Sequence, residues 1–145
     1  LIFGKKYPFT EMEELRQHLR TYMNITDEEL DVFVSYFHVT TVAKGDFFLK
    51  AGKVSDKFSF HNSGLMRVFA FHEEKEVTQW ISYKGNMITD INSFMFDEPS
   101  TFNIQALNSC ELYTIGKKDY NELRLSMPNW TELERRLLTR CFGFM

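Results

Sequence analysis

Apolar residues recur every three or four positions near the amino end and every second position through the middle, and the change of period divides the chain. Helical spacing puts Leu30, Phe33, Val34 and Phe37 on one face. Thr26 with Glu29 three residues later forms a capping-box pattern just ahead of them. Thr10 stands where it can cap an earlier helix through Glu11-Met12-Glu13-Glu14-Leu15-Arg16, whose acids suit a first turn. Residues 1–38 therefore read as two helices, each too short to persist without a body to pack on.

From Val39 to Ile115 the period falls to two. Thr40–Val42, Asp46–Leu49, Lys57–Phe60, Leu65–Phe71, Val77–Ser82, Thr101–Ala106 and Glu111–Ile115 are rich in β-branched and aromatic residues and are bounded by Gly, Asp, Asn or Lys. They read as strands, with His72–Glu76 as a charged hairpin tip. No helix-length crossovers separate them, which favours an antiparallel jelly roll (a double-stranded β-helix) of about eight strands over a parallel sheet. Gly116 releases the sheet, Lys117 to Ser126 reads as a short helix, and Pro128 suits the first turn of a last helix from Asn129 to Met145. Trp130, Leu133, Leu137, Cys141 and Phe144 share one stripe of that helix, broadened by Leu138, Phe142 and Met145.

At 145 residues this is one domain, with a helical segment at residues 1–38, a jelly roll at 39–115 and carboxy-terminal helices at 116–145. A hydrophobic share of 43% with 15 Phe supports a packed globule over disorder. The net charge of -3 and pI near 5.8 argue against a nucleic-acid surface in this segment, because such surfaces rest on Lys and Arg. Cys110 and Cys141 have no CxxC partner and read as reduced thiols of a cytoplasmic protein. Neither a membrane-spanning apolar run nor a signal-peptide layout is present, so no membrane partner is expected. Asn24-Ile25-Thr26 fits a glycosylation sequon, a short pattern that a cytoplasmic setting makes irrelevant.

His18, His38, His61 and His72 contain no His-x-His pair of the kind a cupin metal site needs, and are expected to be solvated or at the core edge. No metal site is expected, nor an iron–sulfur cluster with only two cysteines. Without a Gly-x-Ser-x-Gly, a Walker loop or a Cys/His pairing, no catalytic residue is assigned and the chain does not read as an enzyme.

Gly45, Gly52, Gly64 and Gly85 stand in register with the strands, and Val54-Ser55-Asp56-Lys57-Phe58-Ser59-Phe60 lies between them. From roughly Leu30 onward this pattern resembles the cyclic-nucleotide-binding sensor domain of the Crp/Fnr family of bacterial transcription regulators. That family keeps its ligand cassette on a short helix beginning near a Gly-Glu pair, followed by a loop with Pro-Arg-Ser/Thr-Ala. A cyclic phosphate needs a permanent cation and backbone donors, and the ribose hydroxyl needs a carboxylate.

The matching stretch here is Gly85–Phe94 followed by Asp97–Asn103. Thr89-Asp90 replaces the Gly-Glu pair and Ser100 replaces the phosphate arginine. Thr101 keeps the hydroxyl position, while Phe102 stands where a small residue is usual. The resemblance makes Thr89, Asp90, Ile91, Ser100, Thr101 and Asn103 the candidate pocket residues. Hydrogen bonds to charged groups contribute about 1.5–3 kcal/mol, so losing the arginine weakens binding about tenfold to a hundredfold. Neither cyclic AMP nor cyclic GMP is then the expected ligand, which leaves another small-molecule effector or none. The plain structural alternative is that Asp90, Ser100 and Thr101 cap a helix and pin a loop.

In that family the last helix pairs with its twin across a dimer axis. The resemblance thus implies a homodimer with Trp130, Leu133, Leu137, Cys141 and Phe144 in the seam, unless the stripe docks on its own barrel. A DNA-reading helix-turn-helix would follow Met145 and is absent from these residues, so DNA is expected only through a downstream domain. The apolar end Phe142-Gly143-Phe144-Met145 reads as a fragment boundary. The reading is therefore a ligand-sensing and dimerisation domain of a Crp/Fnr-like regulator with a degenerate phosphate site. The alternative is a free-standing jelly-roll small-molecule-binding protein or a cupin-like enzyme.

Overall fold

The structure, a computed structural model, describes residues 12–142. Helices α1 (Glu13–Tyr22) and α2 (Asp27–Ser35) form the amino-terminal pair. Thr26 caps α2 as its spacing from Glu29 predicts: its hydroxyl accepts from Glu29 N at 3.1 Å, and Glu29 Oε1 accepts from Thr26 N at 3.1 Å. Leu15, Leu19, Leu30, Phe33 and Val34 are buried, and Arg16 reaches Asp31 at 2.6 Å to tie α1 to α2. The expected cap at Thr10, with Glu11, lies outside the described residues.

Eight strands follow: β1 (His38–Val42), β2 (Phe47–Leu49), β3 (Lys57–Ser63), β4 (Met66–His72), β5 (Lys75–Ser82), β6 (Met87–Ile88), β7 (Asn103–Ala106) and β8 (Cys110–Gly116). A short helix α3 (Ile91–Phe96) sits between β6 and β7, while α4 (Lys117–Ser126) and α5 (Trp130–Phe142) close the chain. The strands make two four-stranded sheets, ordered β1-β8-β3-β6 and β2-β7-β4-β5. Apart from the β4–β5 hairpin, neighbouring strands are not consecutive in the chain and are linked by crossings between the sheets, the pattern of an antiparallel jelly roll. Phe48, Leu49, Met66, Ile88, Ile104, Ala106 and Leu112, drawn from both sheets, form one buried cluster between them. The chain divides into two compact units: a helical one, running up to His38 and from Ile115 on, and a β unit, Val39–Thr114.

Local chemistry explains where strands begin and end. Gly64 turns the chain from β3 into β4 at φ +84°, and a Cβ there would collide with the Ser109 carbonyl and come within 2.7 Å of Cys110 Sγ. Only glycine serves both the backbone angle and that close approach. The tip of the β4–β5 hairpin is a two-residue turn with Glu73 at φ 51° and Glu74 at φ 68°. Hairpins favour this double left-handed turn for its twist, but it is normally built from Asn and Gly.

Three expectations need correction. Met87–Ile88 is a strand that the sequence pattern misses, because two residues show no period. β7 begins at Asn103 rather than Thr101, since Phe102 N bonds back to Ser100 Oγ at 3.0 Å and curls that stretch into a turn. Pro128 lies in the turn before α5 rather than in its first turn, because Asn129 is left-handed at φ 66° and interrupts the helix.

Candidate functional site

The short helix α3 takes its direction from Asp90. This residue is its N-cap, and Oδ1 accepts from Ser93 N at 3.2 Å. The other carboxylate oxygen, Oδ2, accepts from Ser100 Oγ at 2.7 Å. Ser100 is buried and fully engaged. Its Oγ accepts from Phe102 N and also lies 3.1 Å from the Phe102 carbonyl, its N–H donates to Lys53 O and its carbonyl accepts from Gly52 N, both at 2.8 Å.

Behind this pair runs a row of hydroxyls. Ser55 N donates to Ser93 Oγ at 2.7 Å, and Ser55 Oγ lies 3.1 Å from Thr89 Oγ1. Both Ser55 and Thr89 also reach the Lys57 carbonyl at 3.1 Å. Asp90, Asn92, Ser93, Glu98, Pro99, Thr101 and Phe102 surround a cavity of about 120 Å³. Among the described residues lining it are two carboxylates and no cation, and it is smaller than the roughly 300–1,000 Å³ of ordinary small-molecule sites.

Of the six residues picked from the sequence, Asp90 and Ser100 touch directly and Thr101 shares their cavity. Thr89 joins only through Ser55. Asn103 faces the β2–β3 connection, where Oδ1 accepts from Ala51 N at 3.0 Å, and Ile91 makes no polar side-chain contact. Ser55, Ser93 and Glu98 belong to the constellation but were not singled out. The Asp90-x-x-Ser93 spacing of a helix cap could have found Ser93.

The candidate seam residues have another fate. Trp130, Leu133 and Leu137 are buried within the chain, with Leu137 at 0% exposure, so their stripe does not face outward. Trp130 stacks on Phe33 of α2 at 5.9 Å and meets Tyr120 of α4 edge-on at 5.4 Å. Its Nε1–H donates to Glu134 Oε2 at 3.1 Å, and the Tyr120 hydroxyl donates to the same carboxylate. Burial, reinforced by Glu134, pushes the Tyr120 phenol far above its usual range. Phe144 and the side chain of Cys141 lie outside the described residues. On the outer side of α5, Glu132 holds Arg135 and Arg136, and the Arg135 hydrogen bonds lead in drawing its carboxyl down to about 2.

His61 also departs from expectation. It is fully buried on β3 instead of lying at the core edge, because Ser82 at the end of β5 satisfies Nδ1 at 3.0 Å. Burial lowers its pKa from the ordinary histidine value. Burial raises the pKa of the Cys110 thiol, whose Sγ lies 3.3 Å from the Leu65 carbonyl.

The sequence profile described as "Cyclic nucleotide-binding domain" matches residues 39–126, more than half of the chain. The chain belongs to the cyclic nucleotide-binding domain family. Solved structures with the same fold include the catabolite activator protein of Thermus thermophilus, 22% identical, with a TM-score of 0.72 over 88% of this chain and 59% of that one. A cyclic nucleotide-binding domain from Methylobacillus flagellatus KT superimposes with a TM-score of 0.80 at 15% identity, over 91% of this chain and 76% of that one. The sensor domain of the transcriptional regulator DNR from Pseudomonas aeruginosa gives 0.68 at 18% identity, over 91% and 86% of the two chains. No curated protein matches the sequence at significance. This cyclic nucleotide-binding domain thus spans less than two thirds of the Thermus activator. Among its described residues, no helix is long and apolar enough to cross a membrane.

Proposed function

We propose that this domain is the ligand-sensing and dimerisation module of a Crp/Fnr-like transcription regulator that has lost the phosphate grip of a cyclic-nucleotide site. Ser100 carries the reading. It stands where the resemblance places the phosphate arginine, it is buried, and its hydroxyl is committed to Asp90. A cyclic phosphate at that point would meet the Asp90 carboxylate with no cation among the described lining residues to separate them, and like charges at contact distance repel. The effector is then a molecule other than cyclic AMP or cyclic GMP, or there is none. The folds shared with an activator and with a regulator's sensor domain support the regulatory setting, and DNA contact would be made by a further domain.

Dimerisation belongs to the same proposal, with the seam moved. Because Trp130, Leu133 and Leu137 are used inside the chain, a two-helix seam would use the opposite face of α5, where Thr131 and Arg135 are exposed and Leu138 is half-buried. Calorimetric titration with cyclic AMP, cyclic GMP and a metabolite panel tests the ligand reading. A dissociation constant for either cyclic nucleotide near 1 µM or tighter, about −8 kcal/mol, overturns it.

A further inference from the structure

Three stretches far apart in sequence close on one another around Ser100. The β2–β3 connection meets the loop before β7 through paired backbone bonds between Gly52, Lys53 and Ser100 and through a Val54–Pro99 bridge. The same connection meets the start of α3 through Ser55, Ser93 and Thr89. Asp90 and Ser100 complete the third side. The Asp90 carboxylate and the Ser93 and Ser100 hydroxyls all bond within the cassette, as does the Phe102 amide. These are the kinds of group with which such a pocket would hold a ligand's polar edge, and Phe102 lines what room is left.

We propose that the cassette is held shut by its own side chains, with Ser100 and Phe102 taking the hydrogen bonds and the space that a small effector would otherwise use. The closed arrangement of α3 and its two flanking loops is then a built-in state of the domain, independent of any small molecule. The inference rests on the degenerate phosphate site proposed above and extends it from weak binding to self-closure. Charge alone would repel a phosphate but would leave the loops free to open. Ser100 is the residue that touches all three, contacting the helix cap, the β2–β3 connection and the turn into β7, while Ser55 adds a separate tie between that connection and α3.

Amide hydrogen exchange on the 145-residue chain tests this. Without added nucleotide, the amides of Gly52, Ser55, Ser93, Ser100 and Phe102 should exchange at least about a hundredfold more slowly than unstructured amides. In Ser100→Ala their protection should fall about tenfold or more, while amides of β4 paired to β5 and β7 keep theirs. Cassette amides of the unsubstituted protein that exchange at nearly unstructured rates overturn the proposal, as does a Ser100→Ala protein indistinguishable from it. Loss of protection throughout, β4 included, also counts against it, because Ser100 would then hold the whole barrel. Adding cyclic AMP at up to about 10 µM, roughly tenfold above a micromolar dissociation constant, should change nothing. If it saturably slows cassette exchange, the phosphate-site reading itself has failed. An unprotected cassette that also ignores the nucleotide defeats only the self-closure.

Discussion

Asp90 and Ser100, ten positions apart, share a 2.7 Å hydrogen bond that joins the cap of α3 to the loop before β7. An arginine at position 100 would enter a site only 3% exposed, and Asp90 would be its first partner. Ser100→Arg alone is therefore expected to overpack the loop, costing about 1–3 kcal/mol, without producing micromolar affinity for cyclic AMP. Adding Phe102→Ala should raise the affinity above that of the single variant. Urea unfolding and calorimetric titration of the two variants read these effects, and tight binding by Ser100→Arg alone would show that the pair is no barrier.

His61 gives the domain an acid-sensitive stability. Its pKa is lowered in the folded state, so the unfolded chain, titrating near 6.5, binds the extra proton first. The stabilisation is complete above pH 6.5 and declines as pH falls from there through the lower folded value. The slope approaches about 1.4 kcal/mol per pH unit for one proton. Urea midpoints measured from pH 7.5 down to about 5 should fall more steeply for the unsubstituted protein than for His61→Gln.

The two faces of α5 should respond differently to substitution. Leu137 is fully buried, so Leu137→Ala is expected to cost about 2–5 kcal/mol of stability. Leu138 is half-buried on the other side, and Leu138→Glu should leave the circular dichroism spectrum unchanged. If the outer face makes the seam, the same change should halve the mass found by light scattering. An unsubstituted chain that is monomeric at high concentration removes the dimer altogether.

The hairpin tip offers a stabilising change. Glu74 is left-handed at φ 68°, a conformation that costs a residue with a Cβ about 1–2 kcal/mol. Glu74→Gly should raise the thermal midpoint by a few degrees, with a gain of about 1 kcal/mol offset in part by glycine's larger unfolded entropy. A lower midpoint would mean that the carboxylate itself supports the turn.

Elements that carry their own local signal were legible in the chain. The Thr26–Glu29 capping box and the helix Lys117–Ser126 appear where the pattern puts them, because caps and apolar period are encoded within a few residues. The longer strands were readable for the same reason. The two-residue β6 exists only through its pairing with Ser59 and Phe60, which no local pattern announces. The stripe on α5 shows the same limit from the other side. Spacing establishes that Trp130, Leu133 and Leu137 share a face, but only the packed structure shows that Phe33 lies against it. At the candidate site, the residue types could be read off the sequence. That Ser100 bonds to Asp90 depends on a fold that returns the chain to the cap of α3.

Inside the barrel, Thr114 Oγ1 lies 2.7 Å from both Thr40 Oγ1 and Ser59 Oγ. A threonine hydroxyl has one hydrogen to give, so Thr114 can donate toward only one neighbour and must accept from the other. The three hydroxyls therefore point in a common sense along the row, and reversing one means reversing its neighbours as well. Their value to the fold is consequently unequal. Thr40→Val shortens the row by one member and leaves Ser59 paired. Thr114→Val, equal in shape, strips the fully buried Ser59 of its side-chain partner in the row and cuts the row at its centre.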